Sequence, residues 1–523
     1  MKKRKYTRKY KLCLDVVQVM CDFCDLETQI NLISLCKEYD EYLKIKELNC
    51  SEEFGLKVTQ EIIQQKKFDK LQILIARSNT KITNVNHLQN TLTELNCSDG
   101  CGIDQKGISN LKVLQKLNVG HNNKITDVNH LQNTLIELHC QGYCGIDQKG
   151  IFNLKVLQKL YATNNSKIID VNHLQNTLTE LNCCYDCGID QKGFSNLKVL
   201  QKLCANGNRK ITDVNHLQNT LIELICWQDC GIDQKGISNL KVLRKLYANN
   251  NSKITDVNHL QSTLIELDCQ FDCGIDQKGI SKLKALQILD ACDNSKIIDV
   301  NHLQNTLINL DCCLDCGINQ KGISNLKVLQ KLNANDNSKI KNVDYLQNTL
   351  TELYCSGYCG INQKRISNLK ALRKLYAGDN SKITNVNHLQ NTLTILNCYG
   401  ACGIGQKGIS NLKVLQKLYA SNNSKIRYVN HLQNTLTVLY CDVNCGIDQK
   451  GISNLKVLQK LTANRNSKIT DVNHLQNTLT ALYCRHDCGI DQMGISELKV
   501  LQILDADGNS KITDVNVCLS KNS

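Results

Sequence analysis

Residues 135–177 read LIELHCQGYCGIDQKGIFNLKVLQKLYATNNSKIIDVNHLQNT, and the next residue, Leu178, starts the same frame again. Cys97, Cys140, Cys183, Cys226, Cys269, Cys312, Cys355, Cys398, Cys441 and Cys484 recur every 43 residues without an insertion. A second cysteine, from Cys101 to Cys488, follows each of them by four. A fixed period of this size is the mark of a stacked array, in which each unit buries its apolar edge only against its neighbours. With 523 residues the chain exceeds what one hydrophobic core holds, and an array accounts for the excess.

Each frame contains two halves, 22 and 21 residues long. The first reads L-x-x-L-x-C-x-x-x-C-G-I, carried by Leu135, Leu138, Cys140, Cys144 and Ile146. The second reads L-x-x-L-x-A-x-x-N-x-x-I-x-x-V-x-x-L, carried by Leu157, Leu160, Ala162, Asn165, Ile168, Val171 and Leu174. From Leu71 onward there are eleven asparagine halves and ten cysteine halves. Over roughly 85% of its length the chain thus resembles the leucine-rich-repeat family. The resemblance implies an α/β solenoid, a leucine-rich-repeat horseshoe of about 21 repeats with short strands on its concave side. In L-x-x-L-x-L the alternate leucines point inward and the residues between them outward. Asn79, Asn122, Asn165 and their equivalents to Asn509 are expected to form a buried amide ladder, and cysteine takes the corresponding apolar place in the other half. Short turns, 3₁₀ segments or brief helices are expected on the convex side.

The cysteine columns invite a zinc reading, reinforced by histidines at the same period from His87 to His474, a series that Tyr345 interrupts. Residues one period apart are two strands apart, about 9.5 Å. Zinc needs ligands about 2.0–2.3 Å from one centre, and a disulfide needs Cα atoms closer than about 7 Å. The expectation is therefore packing, with no metal and no cofactor. The 30 cysteines are expected to be reduced thiols. No run approaches the ~20 apolar residues of a membrane span, and the basic start is not followed by a signal-peptide core. These features predict an intracellular protein, cytoplasmic or sent to the nucleus by its basic tail. No P-loop, G-x-S-x-G or H-E-x-x-H is present, so no catalytic residue is expected.

The repeats also differ from one another. Most positions are copied nearly verbatim, whereas variation collects at outward strand positions and in the turns after them. Tyr143, Tyr161, Tyr185, Trp227, Tyr247, Phe271, Tyr354, Tyr376, Tyr419, Tyr440, Arg465, Tyr483 and Arg485 fall there. Aromatic residues and arginine are enriched at interface hot spots. One reading is neutral drift at tolerant sites. The other, favoured because the convex lysines are exposed yet barely vary, is a concave face selected to bind a target protein.

Seven basic residues (Lys2, Lys3, Arg4, Lys5, Arg8, Lys9, Lys11) open a chain of net charge +14. Residues 12–42 then break the repeat and read as amphipathic helices. The run from Leu12, Leu14, Asp15 and Val17 through Met20, Leu32 and Leu35 resembles an F-box, with Cys13 and Tyr39 where that pattern has proline and tryptophan. The resemblance implies a Skp1-like adaptor bound through these residues, and a substrate-recognition subunit of an SCF-type ubiquitin ligase. The proline-free, Asn- and Lys-rich sequence resembles F-box and repeat proteins of giant DNA viruses, which implies action in a host cell. Two alternatives stay open: a plain binding scaffold whose helices cap the solenoid, and nucleic-acid association through the tail. The expected divisions are a disordered tail (1–11), an F-box-like segment (12–50), a helical linker (51–70), the solenoid (71–516) and a tail (517–523).

Overall fold

The computed structural model describes residues 14–50 and 57–514. The basic tail, Leu12, the start of the linker and the C-terminal tail lie outside the described residues. The chain forms two compact units, Met1–Tyr247 and Ala248–Ser523.

The first unit opens with three helices, α1 (Leu14–Asp22), α2 (Leu26–Ser34) and α3 (Lys37–Tyr42). Asp25 caps α2, its carboxylate accepting from the Thr28 N–H. The Gln18 amide clasps the backbone of Lys44, donating to its carbonyl at 2.9 Å and accepting from its N–H at 2.7 Å. This ties α1 to the first strand, Glu47–Asn49, which pairs in parallel with Ile73–Ile75. The sheet therefore starts before the expected boundary at 71, because Leu48 and Cys50 already supply the buried leucine and cysteine of a repeat. The period hides this strand, since Cys50 precedes Cys97 by 47 residues.

Among the described residues the first unit holds ten strands and the second twelve, each of three residues, and every neighbouring pair described within a unit is parallel. The central leucine of each strand is buried and in most strands its neighbours face solvent, as in Glu137–His139 and Lys159–Tyr161. Cysteine halves return through a one-turn helix such as Gln105–Ile108, whose Asp104 cap accepts from the Gly107 N–H at 2.9 Å. Asparagine halves return through a 3₁₀ turn such as Asn129–Leu131. A Cβ at Gly107 would overlap the Thr83 carbonyl, so at that height the halves are in backbone contact.

Asn122 is 1% exposed; its amide donates to the carbonyls of Cys97 (2.8 Å) and Ile103 (3.1 Å) and accepts from the Lys124 N–H. Asn165, Asn337 and Asn466 repeat this, so the ladder satisfies buried backbone groups of adjacent halves. The paired cysteine columns are buried, free thiols, and burial pushes Cys97 and Cys140 far above the ordinary thiol range. The histidines are half-buried and meet the carbonyl of the preceding half, as His130 does with Ile108 at 3.0 Å. Tyr345, where the series breaks, makes the same bond from its hydroxyl to Ile323 at 2.8 Å.

Reduced thiols throughout are not what the second unit shows: Cys292 and Cys313 form a disulfide. They stand outside the 43-residue columns, in successive halves. One strand spacing then separates them instead of two, and their Cα atoms lie 4.7 Å apart.

Several outer residues that barely vary prove to have structural duties. Lys124 and its equivalents donate to the carbonyl of the second column cysteine, Cys101 in this case, at 3.1 Å. Gln105 bridges two halves through Asp127 and Thr126, and Asn129 does so through Lys149 and Asn153. Near-constancy at these positions follows from hydrogen bonding, so it no longer serves as the yardstick against which strand variation is judged.

Candidate binding face

Nearly every strand offers solvent its first and third residues, Thr462 and Ala481 being buried exceptions, so the open face of a sheet is two rows of side chains. In the first unit the first-residue row alternates Glu94, Lys116, Glu137, Lys159, Glu180, Lys202 and Glu223. Alternation follows from the two kinds of half, and it pairs opposite charges across adjacent strands: Lys116 with Glu94 (3.5 Å), Lys159 with Glu137 (3.3 Å) and Lys202 with Glu223 (3.6 Å). Above this row His139 stacks on Tyr161 at 4.1 Å, and the Tyr161 hydroxyl donates to Glu180 at 2.8 Å.

In the second unit the third-residue row changes character along the sheet. Asp268, Asp290 and Asp311 stand side by side on neighbouring strands. Burial, and then the Asp311 charge beside it, pushes Asp290 up to about 7. Asn333 donates to Asp311 at 2.7 Å and ends the acidic stretch. Tyrosines follow: Tyr354 and Tyr376 stack at 4.2 Å with their planes 2° apart, and Tyr419 and Tyr440 are 4.8 Å apart. Lys331 lies over Tyr354, and Lys460 sits 5.5 Å from the Tyr440 ring and 4.8 Å from that of Tyr483. Where the strands end, Tyr354, Tyr358, Tyr376 and Tyr399, with Asp336 and Asp379, line a cleft of about 700 Å³.

The predicted concave residues therefore divide into two sets. Tyr161, Tyr247, Tyr354, Tyr376, Tyr419, Tyr440 and Tyr483 are third residues of strands and half-buried, packed by their neighbours. Tyr143, Tyr185, Trp227, Phe271, Arg465 and Arg485 lie in the segments that leave the strands. Tyr143 is 87% exposed, and Arg485 is tied to Asp505 at 2.7 Å. Nearly every half turns here through one residue of positive φ, a conformation that costs a bulky side chain about 1 kcal/mol or more. Glycine or asparagine takes it in several repeats, yet Tyr185 and Phe271 (φ 56° each) and Leu314 (φ 58°) take it in others and remain exposed. Tyr399, which lines the cleft, was not singled out from the sequence; its place directly after a column cysteine marks it as outward.

On the helical segment, Val17 is buried and packs inward, so it cannot contact an adaptor as the F-box resemblance implies. Leu14 and Leu32 are half-buried, and Asp15, bonded to the Tyr42 hydroxyl, is exposed. Met20 and Leu35 are exposed, and Met20 belongs to a stripe of Val16, Val19, Met20 and Phe23 at helical spacing i, i+3, i+4, i+7. Val16 and Phe23 belong to the same F-box-like run of the sequence, and Val19 is the member of the stripe that the resemblance does not mark.

Among the described residues the one grouping of three metal-ligand types is Cys292, Asp311 and Cys313. Its two sulfurs are bonded to each other and so offer no thiolate. No helix of the described residues is long and apolar enough to cross a membrane.

No protein-family profile matches the chain, and no curated protein matches it. Among solved structures it is similar to an internalin from Listeria monocytogenes, 22% identical over 60% of this chain and 82% of that one, with a TM-score of 0.36. It is also similar to a TLR13–ssRNA13 complex, 18% identical over 94% of this chain and 84% of that one, with a TM-score of 0.50. At these identities the likeness speaks to fold alone. The parallel three-residue strands and the asparagine ladder, with the second of these likenesses, give the fold as a leucine-rich-repeat solenoid.

Proposed function

We propose that the chain is a protein–protein interaction scaffold that takes its target on the open face of the sheet. The observation that carries this reading is that each unit holds bulky residues at positive φ, Tyr185 in the first and Phe271 and Leu314 in the second. Cheaper residues serve the same turn elsewhere, so the strain is retained for exposed apolar surface at the strand ends. The test is affinity purification of the intact chain with quantified partners. Tyr185→Gly/Phe271→Gly should lose the main partner at least tenfold, whereas Lys106→Ala/Lys112→Ala on the outer side should keep it. Equal recovery from all three proteins would overturn the reading.

A finer reading is favoured by the stripe on α1. Val16, Val19 and Met20 on the helix, with Phe23 in the turn just after it, lie on the surface and fit a contact with a helix of a Skp1-like adaptor, which would make the chain a substrate-recognition subunit of an SCF-type ubiquitin ligase. Val16→Asp/Met20→Asp should abolish co-purification with such an adaptor while leaving target binding intact. No recovery of adaptor by the unaltered chain would refute it.

A further inference from the structure

In the second unit the alternation of glutamate and lysine breaks at Ile288 and Asn309, and again over a longer run further along the sheet. Strand pairing in the second unit puts Lys374, Ile395, Lys417, Val438, Lys460 and Ala481 in successive first positions. In the first unit cysteine halves supply glutamate at this place; here they supply isoleucine, valine and alanine. Lys374 still pairs with Glu352 at 2.9 Å. Among the described residues, no carboxylate lies within ion-pair distance of Lys417 or Lys460. Asp442, nearby, spends its carboxylate on the Ser421 hydroxyl and the Asn464 N–H, and Asp505 is held by Arg485. The lysines of the alternation are present here and the glutamates are not. The result is a positive strip on a half-apolar sheet, edged by Tyr419, Tyr440 and Tyr483.

We infer that this strip is a docking site for an acidic, extended segment of a partner protein; the inference rests on the open face being the target-binding surface. Charge complementarity selects the occupant, because two cations without counterions gain most from carboxylates. Spacing refines it. Lys417 and Lys460 are two strands apart, about 9.6 Å, which a segment in the extended polyproline-II conformation, running across the strands, matches with acidic residues at i and i+3, because three residues make one turn at about 3.1 Å each and place both on one face. A single-stranded nucleic acid fits less well. Base stacking needs free ring faces, and here Tyr419 and Tyr440 pack on each other while Lys460 covers Tyr440 and Tyr483.

Fluorescence polarisation with the intact chain tests this using three labelled probes. They are a glycine-rich peptide with glutamate at every third position, the same peptide with lysine in place of glutamate, and a single-stranded oligouridylate of equal charge to the first. The glutamate peptide should bind at least tenfold tighter than the other two. Lys417→Met/Lys460→Met, folded by circular dichroism, should weaken it about tenfold. Lys116→Met/Lys159→Met, which removes lysines already paired with glutamate, should change it less than twofold. Preference for the oligouridylate would overturn the inference in favour of nucleic acid. Equal affinity for both peptides, no loss in the first variant, or no binding of the glutamate peptide would overturn it outright. In those cases the open-face reading is judged separately, by the Tyr185→Gly/Phe271→Gly purification.

Discussion

Tyr185 shows what single residues do in this protein. Its backbone sits at φ 56°, where glycine is at ease and tyrosine is not, and its ring projects beyond the strand end. Replacing it with glycine should stabilise the solenoid by about 0.5–1 kcal/mol in denaturant unfolding while weakening partner binding. A loss of stability would mean that the ring supports the fold, and strain would no longer point to binding. Just before it, Cys184 lies 2.9 Å in sulfur–sulfur distance from Cys204 of the next half, the same one-strand relation that places Cys292 beside Cys313. The shared hydrogen bond pulls the Cys204 thiol below its ordinary value, whereas burial holds column thiols such as Cys97 far above theirs. Glutathione disulfide should therefore join Cys184 to Cys204, two thiols giving up two protons and two electrons and releasing two glutathione molecules. Differential alkylation followed by mass spectrometry should find that bond and leave Cys97 and Cys101 reduced. Oxidation of the column cysteines first would contradict the assignment.

At the scale of the element, one outer turn is the most informative. Where other repeats have asparagine, histidine and glycine, the repeat around residue 344 has Asp344, Tyr345 and Arg365. Arg365 bonds Asp344 at 2.7 Å, and Tyr345 keeps the carbonyl bond of the missing histidine. Asp344 and Arg365 thus change together as an ion pair, which independent drift explains poorly. Asp344→Asn and Arg365→Gly should each destabilise slightly, by under about 1 kcal/mol for a half-exposed pair, and the double variant should regain the loss. Strict additivity would show the changes to be independent. The histidine turns carry a pH signature. Burial, partly offset by the carbonyl bond, lowers His130, His388 and His431 below the ordinary imidazole range. Their stabilisation is complete above the unfolded value near 6.5 and is lost as pH falls through the lower folded value. Asp290, raised to about 7, works in the opposite direction, so the comparison must be between variant and parent. His130→Tyr/His388→Tyr/His431→Tyr, which copies the bond of Tyr345, should lose less Tm between pH 7.5 and 5 than the parent. An unchanged loss would assign acid sensitivity elsewhere.

Across the whole molecule, the parts legible in sequence were those that repeat. Period, ladder, inward leucines and outward strand positions all follow from one 43-residue frame, because each copy faces the same surroundings. What escaped was whatever the frame does not repeat. The strand at Glu47–Asn49 lies out of phase, the disulfide joins successive halves instead of successive frames, and the α1 stripe depends on which helix face packs. The unpaired lysines were visible all along as the replacement of glutamate by Ile395, Val438 and Ala481, but a broken ion pair acquires meaning only once register is known. The central claim, that the open sheet face receives a protein partner, is tested most directly by site-specific photo-crosslinking in cells. A photoreactive amino acid would replace Tyr185 or Tyr419 on the open face, or Lys106 or Lys413 on the outer side, in otherwise intact chains. A discrete partner adduct is expected from the first two positions and none from the others. Adducts confined to Lys106 and Lys413 would contradict the claim.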